Sequence, residues 1–378
     1  MTKSKIINYL VGLLLIAYYL ICIRNSYLQI VTFKNGWYLG EWIINYQDGG
    51  FKRRGLFGSL FIFVNEMTAI LLEYIVFAFV FLIYTTFFYL LFTLFWKKKN
   101  SLLTLSLLLL PSGLGMLLKD PTVAAKKDIF FLVLFLMYFM ALRARIIIND
   151  MVVSVLIIVC ILNHEAAFFY LPSVSYIFFI YAKGSVSHKI KRIAFFQILP
   201  ALFTLFLLYR YGFSIRTPDS LVFLKNHGLV LGQLGIYEYD PAFDVISFYK
   251  KHLYGYELYS ISILISSFTF LIYYRLNKLR ISSIFLVFQL LCLLPLFYLA
   301  YDWGRWLNIL FTVLTIIAGS EKTAEDTWSK DAVAILIIIF NSLWSTMVLH
   351  LGFVSFPVID LFLKKLFYFL YFKLKNIV

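Results

Sequence analysis

Apolar runs of bilayer-spanning length recur along this chain, and no other feature restricts its fold as strongly. They lie near 6–23, 67–95, 101–118, 129–147, 193–212, 256–274, 282–301 and 331–350, separated by short polar segments. About 20 apolar residues cross a hydrocarbon core. Hydrocarbon offers backbone N–H and C=O groups no partner, so such runs close their hydrogen bonds internally, as helices. Composition agrees: 62% of residues are hydrophobic and 14% charged, against about 45–50% and about 25% in a soluble domain. The expected fold class is all-α, a polytopic integral membrane protein.

Two further runs, 151–162 and 166–182, flank Asn163-His164-Glu165 and read either as one long helix or as a hairpin with the polar triplet at its tip. Cytoplasmic loops of membrane proteins are enriched in Lys and Arg, which separates the options. A hairpin places Lys97-Lys98-Lys99, Arg143 with Arg145, Lys183 to Arg192 and Arg275 to Arg280 all in the cytoplasm, whereas one long helix sends the later clusters outside. The hairpin is therefore expected. By the same logic Asp302 to Trp306 forms an outer tip before a short returning run near 307–319. Segment 358–378, with Lys364 and Lys365 in its middle, is either a final span or an interfacial helix. The expectation is 11 or 12 transmembrane helices in a single domain over 1–378, with outer loops near 24–66 and 211–257. The N-terminus is expected in the cytoplasm, followed by an uncleaved first span.

The formal net charge of +15 would point to nucleic acid in a soluble protein. Here the basic residues sit in short clusters between apolar runs and read as topology signals and headgroup contacts, so no nucleic-acid partner is expected. Cys22, Cys160 and Cys292 lie in or beside apolar runs, without C-x-x-C or metal spacing, which argues against disulfides and a zinc site.

With this topology, nearly every dense polar cluster outside the cytoplasmic loops falls on the outer face. The clusters are Asp48 to Gly55, Lys119 to Asp128, Asn163-His164-Glu165 and Tyr301 to Arg305. They come from separate hairpins and can converge. Of the 34 Lys and Arg, 14 lie on outer segments, against the topological bias. An anionic ligand would account for them, and the planar fork of Arg suits phosphate. In Asp48 to Gly58 a glycine pair permits a tight turn, Lys52, Arg53 and Arg54 offer three cations, and Gly55 and Gly58 let the next helix approach a neighbour. The unit reads as a carboxylate beside a phosphate clamp, or as a juxtamembrane turn whose cations snorkel to headgroups. His164 and Glu165 are placed for general-base work, or merely cap two helix ends. Asp302 and Arg305, spaced i, i+3, pair with each other or bind substrate, with Trp303 and Trp306 as interface anchors. Lys119, Lys126 and Lys127 read as a solvated basic loop or as phosphate contacts, and His227, Glu238 and Asp240 as acceptor contacts.

Transfer of a sugar from a polyprenyl phosphate or pyrophosphate needs cations for the leaving phosphate and a carboxylate or imidazole for the acceptor's proton. Here the layout resembles the GT-C superfamily of polyprenyl-phosphate-dependent glycosyltransferases, in which the first outer loop carries an essential acidic residue. The matching positions are Glu41 or Asp48, in Glu41-Trp-Ile-Ile-Asn-Tyr-Gln-Asp48. It is also similar to the O-antigen and capsule polymerases of the Wzy type, which use outer-face arginines on undecaprenyl-pyrophosphate-linked repeats. Arg53, Arg54 and Arg305 would be the counterparts. The resemblance implies a multi-pass enzyme of the bacterial inner membrane in surface-polysaccharide assembly, with the repeat-unit polymerase as its specific form. Asp48, His164 or Glu165 would orient or deprotonate the acceptor. Glu41, Lys52, Arg53, Arg54, Lys126, Lys127, Asp302 and Arg305 would bind phosphate and substrate. Neither a cofactor nor a metal is expected. The expected partners are the lipid-linked glycan, membrane lipid and other polysaccharide-assembly proteins. Two other classes compete: a lipid-linked oligosaccharide flippase or transporter, which would place charges at mid-membrane, and a membrane O-acyltransferase, which would use His164-Glu165.

Overall fold

Runs this rich in Leu, Ile and Phe have few residues that oppose a helix, so several helices end only where Gly, Pro or a left-handed residue intervenes. The computed structural model describes residues 3–96, 100–212, 214–238, 253–276, 281–299, 302–320 and 328–344. Lys97-Lys98-Lys99, Asp240, residues 277–280 of the Arg275 to Arg280 cluster, Tyr301, the end of the run 331–350 and segment 358–378 lie outside the described residues, as does the Lys119 side chain. Among the described residues the chain is all-helical, without a strand and with one isolated backbone bridge, Asn35 to Gln233.

The helices are α1 (Lys3–Tyr27), α2 (Leu39–Trp42), α3 (Gly55–Thr68), α4 (Leu72–Trp96), α5 (Leu102–Leu108), α6 (Met116–Lys119), α7 (Asp128–Arg143), α8 (Asp150–Asn163), α9 (Leu171–Tyr181), α10 (Val186–Ile193), α11 (Leu199–Tyr211), α12 (Ser220–Asn226), α13 (Leu253–Leu276), α14 (Ser283–Leu299), α15 (Trp303–Ser320) and α16 (Trp328–Leu343). Lys3–Thr32, Leu72–Trp96 and Val186–Tyr211 are long and apolar enough to cross a membrane, and α3, α8 and α15 are among the shorter apolar helices. Leu13, Leu82, Phe203, Leu264 and Phe268 are each more than half exposed on their helices. Apolar surface on that scale suits association with a membrane rather than water.

Three stretches depart from the sequence reading. The run 67–95 starts as a helix only at Leu72, because Ala69, at φ 57°, ends α3 at Thr68. The loop 24–66 is itself largely helical: α1 runs on through a π-turn over Leu28–Thr32, and α2 and α3 follow. The run 101–118 is not one helix. Ser101 and Thr104 form a capping box at the start of α5, but Pro111, Gly113 and Gly115 fall in the turn after Leu108. A Cβ on Gly115 would lie 2.4 Å from the Leu109 carbonyl oxygen, so only glycine permits this return. Buried amides close the gap in hydrogen bonding, with Asn308 donating to the Gly113 carbonyl (2.7 Å) and Asn341 to the Ser106 carbonyl (3.0 Å).

The stretch 151–182 is a hairpin. α8 starts beside α10, where Asp150 takes both arms of Arg192 at 2.6 Å. It ends at Asn163, and after His164 and a 3₁₀ turn over Glu165–Tyr170 the chain returns along α9 to a hollow lined by Arg145, Tyr181, Lys183 and Arg192. Basic residues thus gather at one end of the bundle, and the N-terminus of α7 and the α8–α9 tip lie at the other. One hydrophobic core runs from Ile7 to Trp344, with α1 against α4, α4 against α7 and α8 against α11.

Candidate functional site

At the end away from the basic hollow, five segments meet. The segment Asn35 to Trp42 supplies Glu41, and its register is held by Asn35, whose side chain accepts from Trp37 N–H at 2.9 Å. The turn before α7 supplies Lys126 and Lys127, and the first residue of α7 is Asp128. Asp120 caps that 3₁₀ turn at Thr122 N–H, Pro121 sits at its first position, and Trp42 Nε1 and Ser26 Oγ hold it by donating to the Ala125 and Ala124 carbonyls at 3.0 and 3.2 Å. The start of α3 supplies Arg53 and Arg54, the α8–α9 tip supplies His164 and Glu165, and the start of α15 supplies Asp302 and Arg305.

Arg305, 1% exposed, is the hub. Its guanidinium donates to Asp128 and lies 3.5 Å from Glu41 and 3.6 Å from Asp302. Glu41 also takes Lys126 at 3.1 Å, and Lys126 donates to the Trp37 carbonyl at 2.7 Å and lies over the Tyr38 ring. Arg54 grips Glu165 with two arms, at 2.9 and 2.7 Å, and Arg53 approaches the same carboxylate at 3.6 Å. Lys127 differs. Its side chain is fully buried and donates to the Arg54 carbonyl at 2.9 Å beside the Trp42 ring. Among the described residues no carboxylate lies within ion-pairing distance of it. The group therefore holds five cations, Arg53, Arg54, Lys126, Lys127 and Arg305, against four carboxylates, Glu41, Asp128, Glu165 and Asp302, and the unmatched charge falls on Lys127.

Local backbone supports this. Gly49 (φ 155°) and Gly50 (φ 86°) make the tight turn, and Arg54 itself stands at φ 66°, a conformation that costs a non-glycine residue of order 1 kcal/mol or more and persists only when its surroundings hold it. The Glu165 fork and the Lys127 amine on its carbonyl do so. Gly58 meets the preceding segment so closely that a Cβ would lie 1.9 Å from the Ile44 carbonyl oxygen.

Burial and pairing set the protonation states. Burial opposes ionisation of Glu41, but Lys126 and then Arg305 overcome it and hold its carboxyl well below the usual range. Glu165 is likewise held down, chiefly by Arg54 against its burial. Burial pushes the Asp128 carboxyl up despite Arg305. Burial pulls the Lys127 ammonium down to about 7. Burial, with Arg54 and Arg305 nearby, lowers His164 and keeps it neutral. Its Nδ1 accepts the Ala166 N–H at 3.2 Å, so the neutral ring carries its proton on Nε2. Among the described residues, that atom and Asn163 Oδ1 are buried without a hydrogen-bond partner.

Three sequence assignments change. Asp48 and Lys52 are not brought to this group: they form a buried ion pair with each other, and Thr217 Oγ1 donates to the Asp48 carbonyl at 2.7 Å, which fastens the loop to the start of α12. Asp48 thus lies apart from the group, and of the two acidic candidates in the first outer loop it is Glu41 that enters it. In His164 the Ala166 N–H occupies Nδ1, so the ring offers an N–H at Nε2 rather than a free basic nitrogen. Trp306 is not an interface anchor; it is 3% exposed, with its ring edge-on to His164 at 5.9 Å. Elsewhere, His227 pairs with Glu66 at 3.1 Å and Glu238 is exposed. Sequence reasoning passed over Asp128 and Asn163 as site residues, although both stand in the polar clusters it singled out.

Scans of the chain against protein-family models, curated proteins and solved structures find no match, so the chemistry of this site has to be argued from its own groups.

Proposed function

We propose that this chain is a multi-pass membrane glycosyltransferase, with 11 or 12 spans and the site at the outer face, that draws on a polyprenyl-phosphate- or pyrophosphate-linked sugar in bacterial surface-polysaccharide assembly. Its most specific form is the repeat-unit polymerase. The observation that supports this is the group of five cations and four carboxylates, most of them buried, at the end of the bundle away from the basic hollow. Charges in an apolar body are costly even when paired and are kept where they serve function.

In the proposed reaction the bond between the anomeric carbon and the leaving phosphate oxygen breaks, and the acceptor hydroxyl oxygen bonds to that carbon. Lys127, the cation without a carboxylate, meets the charge gained by the leaving phosphate, and the Nε2–H of His164 donates to it. Glu41, held ionised, accepts the hydroxyl proton as the new bond forms, when the hydroxyl has become acidic enough for a weak base. Arg54 and Arg305 position Glu165, Glu41 and Asp128.

The test compares lipid-linked intermediates and the electrophoretic ladder of surface polysaccharide in the parent strain and a deletion mutant. Collapse of the ladder to a single repeat supports a polymerase, and an intact ladder with a lighter repeat supports a side-branch transferase. Repeats accumulating on the inner leaflet would favour the transporter, and an unchanged glycan would overturn glycosyl transfer. The span arrangement is checked by cysteine labelling, with Lys189→Cys expected to react from the cytoplasm and Asp219→Cys from outside; labelling of both from one side would overturn it.

A further inference from the structure

The end of the bundle opposite the charged group carries a recess of its own. The basic hollow encloses about 230 Å³ between the ends of α7, α9 and α10 and the α7–α8 turn, and Tyr138, Arg145, Ile148, Phe178, Lys183 and Arg192 stand in its lining. A single water takes about 10–15 Å³ of such space, so a whole phosphate ester can enter. Three cations line the hollow, and Asp150, paired with Arg192, is the carboxylate beside them. That fork, together with the Phe178 ring 4.7 Å from the guanidinium, sets where Arg192 stands. Among the described residues no carboxylate lies within ion-pairing distance of Arg145 or Lys183.

Arg145 occupies an unusual place. At the end of α7 its N–H donates to the Leu142 carbonyl and the next N–H, of Ile146, to the Ala141 carbonyl, each at 3.0 Å. Glycine is the usual residue at this point of a helix end, because it has no Cβ to oppose the left-handed turn. Here an arginine stands at φ 60°, exposed. A side chain held at conformational cost on the wall of a recess points to a role in binding. Tyr138 adds an incomplete group: its hydroxyl is buried at the hollow and, among the described residues, has no hydrogen-bond partner. Buried hydroxyls are rarely left so.

The apolar lining selects among anions. Ile148 and Phe178 lie between the cations, and Ile146 and Ile147 at the rim are 59% and 93% exposed. A free phosphate gains nothing from that surface, whereas a phospholipid covers it with the chains below its phosphate. The cations without a carboxylate would repel the positive head of a zwitterionic lipid and favour an anionic one.

We propose that this hollow binds the headgroup of an anionic phospholipid of the cytoplasmic leaflet, with Arg145, Lys183 and the Tyr138 hydroxyl donating to its phosphate and Arg192 adding its charge from a fixed position. The leaflet rests on the span arrangement proposed above; the binding does not. General attraction of basic loops to anionic lipid is indifferent to which cation is removed, and this site is not.

The experiment titrates the full chain in micelles with phosphatidylglycerol, phosphatidylcholine and water-soluble glycerol phosphate, reading bound lipid by native mass spectrometry and the unfolding temperature alongside. Phosphatidylglycerol should bind about tenfold tighter than phosphatidylcholine or more, and glycerol phosphate should not displace it. A cation beside an anionic headgroup contributes about fivefold in affinity. Arg145→Gly and Lys183→Met should therefore each weaken binding about fivefold, and Lys191→Met, at the same end but outside the hollow, less than about twofold. Tyr138→Phe should weaken it about tenfold. Because glycine relieves the left-handed turn, the lipid-free Arg145→Gly chain should unfold no earlier than the parent, an outcome that a merely structural arginine would not give. Equal binding of the two phospholipids, equal losses in Lys191→Met and Arg145→Gly, or unchanged binding by Tyr138→Phe would overturn the proposal. Displacement by glycerol phosphate would also overturn it, by making the ligand a soluble phosphate ester. If a variant does not fold, the lipid selectivity of the unaltered chain decides. Reaction of Lys189→Cys from outside would overturn the leaflet and leave the binding standing, and an unchanged glycan in the deletion strain would discard glycosyl transfer without touching this site.

Discussion

Replacing Arg305 by Met asks whether the buried charges act as one unit. Three carboxylates face its guanidinium. Glu41 keeps Lys126 at 3.1 Å, and the Asp302 side chain is 23% exposed, so the charge left stranded is Asp128, 8% exposed. Removing one partner of a buried pair costs about 3–5 kcal/mol, which is roughly two to three and a half powers of ten in the unfolding equilibrium at about 1.4 kcal/mol per tenfold. Asp128 can escape by taking up a proton. Burial already pushes its carboxyl upward with Arg305 present, and loss of the guanidinium pushes it further. A carboxyl raised in the folded state makes the native form bind more protons than the unfolded one. Stability of the variant then falls as pH rises from the ordinary carboxyl range, about 4, through the raised value, and the deficit is smallest in acid. Adding Asp128→Asn removes the stranded charge and should recover about 1–3 kcal/mol as a coupling term. The assay is heat or SDS unfolding of the full chain in micelles at pH 5 and pH 8, for the parent, both single variants and the double. A loss under about 1 kcal/mol, or a double variant no more stable than Arg305→Met, would refute the reasoning.

Arg54→Lys keeps the charge but loses the fork that grips Glu165 at 2.9 and 2.7 Å; it should cost about 1–2 kcal/mol in the same unfolding assay, and Glu165→Gln added to it should cost little more. Lys127, pulled down to about 7 by burial, binds fewer protons in the folded than in the unfolded chain between about pH 7 and about pH 10. Stability should therefore rise across that window in the parent and flatten in Lys127→Met, as measured by unfolding against pH. Gly58→Ala places a methyl against the Ile44 carbonyl and should cost about 1–3 kcal/mol by overpacking, visible as a lower unfolding midpoint.

Helical class was legible because long apolar runs carry it redundantly, and the hairpin at Asn163 to Glu165 was legible because charge bias and the polar triplet agreed. The breaks were harder. Averaging hydropathy over about 20 residues erases a turn made within one apolar run, although Pro111, Gly113 and Gly115 signalled it. Ala69 gave no such signal, since its exposed left-handed turn is closed by its neighbours, with Asn65 donating to the Ile70 carbonyl and Ile70 N–H to Thr68 Oγ1. The same division runs through the site. Separate hairpins bringing Lys126, Lys127, His164, Glu165 and Arg305 together followed from topology alone. Which partner each would take did not. Asp302 is three residues from Arg305, but Asp128, 177 residues away in sequence, accepts from it. Glu41 and Asp48 share one loop, and only the docking of that loop on Thr217 and Ser220 separates them.

That pairing changes what the arginines can do. A phosphate clamp needs donors that are not already committed, whereas Arg54 and Arg305 each bind carboxylates from elsewhere in the chain. For either to release its carboxylate to a pyrophosphate, a buried anion would have to be left unpaired, at a cost of the same order as the binding gained. Arg53 is more open, at 34% of its side-chain surface, but it too leans toward Glu165. Lys127 carries no such penalty: it holds a charge opposed by burial and by the nearby Arg54 and Arg305, and a ligand phosphate would relieve that burden rather than compete with a carboxylate. An arginine network that fixes geometry, around a lysine that gains from an incoming anion, is the division of labour these distances favour over a clamp of three arginines.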